Sequence, residues 1–341
     1  MEQLVTLDFE TYYSSTYGLT KQTTEEYIRH PEFQVIGVAV KINDEKINFH
    51  TGTHQEIQAA LDNIDWRVSG LVCHNTLFDG AILAWIFKII PTFYFDTLSI
   101  ARALHGTNAG GSLKALAERY YLGKKGTEVL DAKGKRLEDF KPSELSAYAS
   151  YCINDVQITF DLFGIIAPKF PESEHQLIDI TLRMFIEPQL RVDDALLIER
   201  LQEVRDEKAL MLEGLMARLE CDTNEAVRKK LASNKQFAEL LEELGVSCPM
   251  KESPTTGKQA PALAKTDEGF IALQQHEDPL IQELCAVRLG TKSTIEESRI
   301  ERFIDIGSRN KGWLPIPLRY YGAHTGRWAG SEKVNFQNLP S

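Results

Sequence analysis

The run QLVTLDFET, residues 3–11, limits what this chain can fold into more than any other stretch. Its apolar and β-branched residues read as a buried strand, and the strand opens at its far end on two acids, Asp8 and Glu10. Side chains two apart on a strand share a face, so both carboxylates can reach one cation. Alone, an Asp-x-Glu pair is usually a solvated strand end, and its meaning depends on the rest of the chain.

The next 160 residues or so alternate in pattern. FQVIGVAVKI and KINFHT read as the next strands, joined by the turn signal Asn43-Asp44. HQEIQAALDNI is helical, GLVCHN is a strand, and TLFDGAILAWIFKI continues as a helix. DTLSIARAL and SLKALAERYYLG are helices with Asp96 and Ser112 as N-caps. KPSELSAYASYCINDVQITFDLFGII carries an apolar helical face with a proline near its start. Strands first, then strands alternating with helices, imply an α/β domain: a mixed sheet covered by helices. Near residue 172 the character changes. From there to about Arg302 the pattern is almost wholly helical, with loops at ECDTNE and GVSCPMKESPTTGKQAPALAK. DDALLIERLQEVRDEKALMLEGLMARL and DPLIQELCAVRLGTKSTIEESRIERF read as two long helices of an extended arm, their apolar spacing too irregular for a coiled coil. GWLPIPLRYYG returns to strand-like character.

Composition narrows the classes. The 341 residues are 43% hydrophobic and 26% charged, an ordinary globular balance without a membrane-length apolar run or a leader-like start. Five widely spaced cysteines with no CxxC pair argue against a zinc site or a disulfide framework and fit a reducing cytoplasm. A net charge of −11 argues against a protein coated by nucleic acid. The charge is uneven, however: Arg288–Ser341 holds nine Lys and Arg against five Asp and Glu. A second basic group comprises Lys124, Lys125, Lys133, Lys135, Arg136 and Lys141, which by itself reads as solvated loop charge.

Two further acidic motifs give the first one its meaning. Asp79 lies in HNTLFDGAIL where a helix begins, and Tyr151 and Asp155 lie four apart in YCINDVQ, on one helical face. Each alone reads as surface charge or a half-buried tyrosine. Together they place four carboxylates around one cleft, an arrangement that repels itself unless cations are present. Hard oxygen ligands suit Mg²⁺ or Mn²⁺, and two such ions roughly 4 Å apart can activate water and stabilise entering and leaving oxygens. This is equipment for phosphodiester hydrolysis.

LDFET, HNTLFD and YCINDV, in that order and spacing, resemble the three motifs of the DEDDy proofreading 3′–5′ exonuclease domain, on a ribonuclease H-like fold. The likeness continues beyond them. ASNKQFAELLEELG, AKTDEGFIAL and RLGTKST are similar to thumb segments of family A DNA polymerases, the DNA polymerase I type and its phage versions in particular. HTGRWAGSEKVNFQNLP resembles the T-G-R…N-x-Q-N-x-P signature that enters the palm. The resemblance implies three domains: an exonuclease at 1–172, a mainly α-helical thumb at 173–305, and the first part of a palm at 306–341. The palm aspartate, the fingers helix and the second acidic motif that come next in that family are not in this sequence. Nor is there room at the thumb tip for the large processivity-factor insertion of some phage relatives.

By the family's pattern Asp8 would bridge two ions, Glu10 and Asp155 would complete the site of the water-activating one, and Asp79 would hold the second through water. Tyr151 would orient the attacking water, and the product would be a nucleoside 5′-monophosphate. His74 and Phe78 are expected to be structural, Phe78 with a share in shaping the terminal-nucleotide pocket. Ser233, Asn234, Lys235, Arg288 and Lys292 would contact phosphates, and Arg327, Gln337 and Asn338 would lie near the primer terminus. The implied partners are primer-template DNA, a single-stranded 3′ end and a second polypeptide with the rest of palm and fingers. Three functions fit this pattern. The favoured one is the amino-terminal subunit or fragment of a split polymerase. The others are a free-standing exonuclease and a non-catalytic DNA-binding or assembly subunit.

Overall fold

A computed structural model describes residues 2–124, 132–253, 255 and 257–339. Lys125 of the second basic group and the last two residues of the tail lie outside them. Packing divides the chain into two compact units, residues 1–191 with 309–341, and residues 192–308.

The first unit is built on a five-stranded sheet. β1 (Gln3–Thr11), β2 (Val35–Ile42), β3 (Asn48–Thr51), β4 (Ser69–Cys73) and β5 (Phe93–Asp96) stand in the order β3-β2-β1-β4-β5. β1 pairs antiparallel with β2 and parallel with β4, so the sheet is mixed, as the alternating pattern requires. Between the strands run α1 (Thr24–Arg29), α2 (His54–Asp62) and α3 (Thr76–Trp85), followed by α4 (Thr97–His105), α5 (Leu113–Tyr120), α6 (Pro142–Ile166) and α7 (Glu172–Ile186). The caps explain several boundaries. Asp96 and Ser112 accept from the first-turn amides of α4 and α5, and Pro142 opens α6 where its missing N–H has no partner to lose. Two elements, α1 and β5, are absent from the expected set. A Thr23/Glu26 capping box marks the start of α1, and the aromatic run FYFD forms β5.

Strand alternation then sorts β1. Val5, Leu7 and Phe9 face one core, with Phe9 stacked on Phe87 at 5.5 Å. Asp8 and Glu10 face the other side, where α6 lies across the sheet. α7 packs on α3 and β5, so the first helix after residue 172 shares the core of the sheet. Gly80 permits that approach, because a Cβ there would stand 2.7 Å from Ile186 Cδ1.

Residues 309–339 belong to this unit as well. Glu25 on α1 is only 3% exposed, and its carboxylate accepts from Arg309 Nη2 at 2.8 Å and Asn310 Nδ2 at 2.7 Å. Asn310 in turn accepts from Arg29 Nε at 3.1 Å, and the Arg29 guanidinium lies over the Trp85 ring. Farther along, Trp328 donates to Thr181, Tyr320 to Glu174, and the Thr24 amide to Glu332. GWLPIPLRYYG contributes only the two-residue strand β8 (Leu318–Arg319), paired with β9 (Ala329–Gly330).

The second unit is helical, with its own core. It comprises α8 (Asp194–Met216), α9 (Asn224–Ala232), α10 (Asn234–Glu243), a small hairpin β6 (Met250–Glu252) and β7 (Gln259–Pro261), α11 (Glu268–Gln274) and α12 (Pro279–Lys292), with α13 (Ile295–Arg309) running out of it. One expectation is corrected here. DPLIQELCAVRLGTKSTIEESRIERF is two helices, broken at Ser293-Thr294, and the carbonyl released at Ser293 accepts from Lys208 Nζ at 2.5 Å.

Candidate active site

β4 pairs with β1 only as far as Thr6, while β1 runs on to Thr11. Beyond Thr6 the β4 side of β1 is a notch in the strand pairing, at the carboxyl ends of two parallel strands, the usual place for a ligand in such sheets. The Phe9 N–H faces that notch, and Asp79 Oδ1 accepts from it at 3.0 Å. A carboxylate from the first turn of α3 thereby replaces a missing strand.

Asp79 is placed by the turn before it. Asn75 adopts the left-handed conformation, φ 76°, which asparagine tolerates better than most residues. The Asn75 and Thr76 amides both donate to Asp96 Oδ1, at 2.9 and 3.1 Å. The same carboxylate caps α4 through Leu98 and Ser99. Asp96, expected only as a cap, therefore fixes the starts of two helices at once. The rest of HNTLFD is packed: His74 Nδ1 lies 2.9 Å from Thr97 Oγ1, and Phe78 leans on Tyr27.

From the other side α6 presents Tyr148, Tyr151, Cys152, Asp155 and Thr159, all buried, at the spacing of one helical face. Tyr148 Oη donates to Glu10 Oε2 at 2.5 Å, and Tyr151 is hydrogen-bonded to the Asp155 side chain. Cys152 Sγ donates to the Asp8 carbonyl at 3.3 Å and stands 3.7 Å from Asp8 Oδ2. Asp8, Glu10, Asp79, Tyr151 and Asp155, expected together, come together.

The electrostatics arise from crowding. Burial, then the charge of Asp8 and Glu10, hold the Asp79 carboxyl well above the ordinary carboxylate range, although the Phe9 N–H pulls the other way. Burial and the charges of Asp155, Glu10 and Asp8 push the Tyr151 phenol up, so it stays protonated at neutral pH. A divalent cation would relieve this repulsion, and the donor set of carboxylate oxygens suits a hard one. Asp8, Glu10 and Cys152 bring ligand atoms within 4.8 Å of one another. The thiol is the poor member of that trio. It is buried, and the neighbouring carboxylates raise it further from its thiolate form, so it serves α6–β1 packing.

The residues expected at DNA phosphates lie elsewhere. Ser233 caps α10, and Asn234 Oδ1 accepts from Arg288 Nη2 at 2.5 Å and Lys292 Nζ at 3.3 Å. Lys235 and Lys292 are exposed. Arg288 is 1% exposed: its guanidinium also donates to the Leu231 carbonyl and lies over the Phe237 ring, so it holds the α9–α10 junction from inside. Arg327, Gln337 and Asn338 are exposed, the last two on a short turn capped by Asn335. In the second basic group, Lys135 pairs with Glu144 and Arg136 lies over the Tyr12 ring.

Residues 2–171 match the family model described as 3′–5′ exonuclease, so this part of the chain is a 3′–5′ exonuclease-family domain. No curated protein matches the chain. Among solved structures, the whole chain superposes on the POL domain of Pol1 from M. smegmatis, in complex with DNA primer-template and dNTP. That likeness has a TM-score of 0.61 at 15% identity and extends the shared fold to the second unit. The chain spans 53% of the Pol1 chain. Brucella melitensis NrnC with bound Mg²⁺ is similar over 52% of this chain and 81% of its own, at 16% identity and a TM-score of 0.38.

Proposed function

We propose that the first unit removes nucleotides from the 3′ end of DNA as a DEDDy-type exonuclease, with Asp8, Glu10, Asp79 and Asp155 holding one or two Mg²⁺ or Mn²⁺ ions. The observation that carries this is the gathering of those four acids with Tyr151 at the notch beyond β4, inside a segment of the 3′–5′ exonuclease family. When bound, the cation polarises the phosphodiester and lowers the pKa of water. The chain's own groups do the rest. Tyr151, kept protonated with its proton directed at Asp155, accepts a hydrogen bond from the attacking water on its hydroxyl oxygen and so orients it; it is no base at neutral pH. Asp79 keeps one oxygen on the Phe9 N–H, which fixes the direction of the other. A frayed 3′ end is preferred because unpairing costs least at a mismatch.

The likeness to Pol1 supports a further step: the second unit grips duplex DNA as a thumb, in a polymerase whose palm and fingers lie in polypeptide beyond these residues, as a continuous or a second chain. Exposed Lys235 and Lys292, with Ser233 and Asn234, touch phosphates, while Arg327, Gln337 and Asn338 approach the primer end. Arg288 acts through Asn234.

The test uses a 5′-labelled single strand with the purified protein and Mg²⁺. A ladder of shortened products with release of nucleoside 5′-monophosphates is expected, abolished by chelation and by Asp8→Ala. No shortening in Mg²⁺ or Mn²⁺, or equal shortening by Asp8→Ala, sinks the exonuclease reading. Primer extension on adding a chain with the palm and fingers acids tests the polymerase reading; no extension and no complex reject it.

A further inference from the structure

α6 carries a second tyrosine at the site. Tyr148 lies one turn before Tyr151, is 2% exposed, and is stacked between Phe140 at 5.4 Å and Tyr151 at 6.3 Å, each neighbouring pair of rings within 12° of parallel. Two aromatic neighbours leave the ring little freedom to turn, and its hydroxyl is delivered to one atom, Glu10 Oε2, at 2.5 Å. That length belongs to a charge-assisted O–H···O⁻ bond, about twice as strong as a neutral one. A buried tyrosine needs an acceptor, and a backbone carbonyl would satisfy it at less cost. Tyr17 and Trp85 of this same unit do use backbone carbonyls, and Tyr320 uses Glu174, an acid outside the carboxylate group. Tyr148 instead spends its proton on an acid at the centre of the carboxylate group.

We propose that Tyr148 is a positioning residue for cation binding, acting through Glu10; this rests on the exonuclease reading above. By occupying Oε2 it fixes the rotation of the Glu10 carboxylate about its last bond, a soft torsion otherwise. It also draws off part of the negative charge that Glu10 would direct at Asp8 and Asp79. The two stacked phenols divide the work, Tyr148 holding Glu10 and Tyr151 holding Asp155. Outer partners of metal-ligating carboxylates orient their ligands in this way, and losing one typically costs about 10–100-fold in affinity or activity.

The experiment is Mn²⁺ titration of the intact chain followed by electron paramagnetic resonance, which reads free ion without turnover. Tyr148→Phe keeps the ring stack and removes the donor; its Mn²⁺ Kd should rise about 10-fold or more while its helical circular dichroism is unchanged. Glu10→Gln supplies the control that a purely structural tyrosine would fail: in that background the Tyr148→Phe change should add less than twofold. Three results overturn the proposal: a Kd within twofold of the parent, an equal effect with and without Glu10, or loss of the helical signal in Tyr148→Phe. Failure of the exonuclease reading is separate. It shows as a parent protein that binds Mn²⁺ but shortens no DNA.

Discussion

Two of the places where the first unit buries acids treat them differently. Glu25, on α1, is met by Arg309 and Asn310, which hydrogen-bonds Arg29 in turn, so its charge is answered by cations from the chain itself. At the notch beyond β4, a backbone N–H meets Asp79, a phenol meets Glu10 and another phenol meets Asp155. The charge that acts on Asp79, beyond its amide bonds, is the negative charge of Asp8 and Glu10. A buried acid is therefore no sign of a site. An acid answered by arginine ties segments together, whereas acids crowded against one another repel and so favour a cation among them.

Removing one acid from each place separates the two most widely. Asp8→Asn should lower the exonuclease rate by roughly 10²–10³-fold with little change in Tm. Glu25→Ala should do the reverse. It leaves two donor side chains without their acceptor, and we expect a loss of about 2–4 kcal/mol in urea unfolding with a normal rate per folded molecule. Equal stability losses in the two variants would erase the contrast.

Acidity sharpens it next. The folded Asp79 carboxyl binds its proton more tightly than an unfolded aspartate, so its contribution to stability is complete below the usual aspartate range and is lost as pH rises toward the raised value. A cation removes that loss. Mg²⁺ should therefore raise Tm more at pH 8 than at pH 5, by an amount worth about 1.4 kcal/mol when free Mg²⁺ is tenfold above its Kd. Asp79→Asn, which keeps an acceptor for the Phe9 N–H, should flatten the pH dependence; a Tm gain independent of pH would count against the crowding argument.

The second unit offers the same contrast with the sign reversed. Arg288, buried and answered by the Leu231 carbonyl and Asn234, should cost about 2–4 kcal/mol on change to alanine. Exposed Lys292→Ala should cost less than about 0.5 kcal/mol and lower the salt slope of DNA binding by about one. The smallest effect is expected at Cys152. Cys152→Ala should leave Mn²⁺ affinity within twofold, because a buried, protonated thiol gives a hard cation nothing.

Much of this architecture is legible in the residues alone. Period-two and helical patterns place β1 to β4 and α2 to α6, and the order of three acidic motifs assembles the site residues. The features that escape depend on contacts between distant segments. Asp96 reads as a cap for α4, but its hold on Asn75 and Thr76 joins residues some twenty positions apart. The break after α12 is invisible because both sides keep helical character, and the Ser293 carbonyl finds its partner on α8. Arg288 shows the same limit: helical spacing gives its position, while the inward turn of its guanidinium depends on Leu231, Asn234 and Phe237. Tyr148 is in plain view, three residues before Tyr151, and the shared face of one helix is the signal that could have found it.

The short β4 has a consequence for how this scaffold can change. The place of the candidate site is set by a length difference between two neighbouring strands, β1 continuing past the Thr6–Val72 pair where its pairing with β4 ends. Loops around such a notch can grow or shrink without touching it. A slightly longer β4 would hand the Phe9 N–H a backbone carbonyl, displace Asp79 and fill the notch with ordinary sheet. The group most vulnerable to an insertion is thus an amide on the strand, and a chain that kept every acid could still lose the candidate site by becoming a more complete sheet.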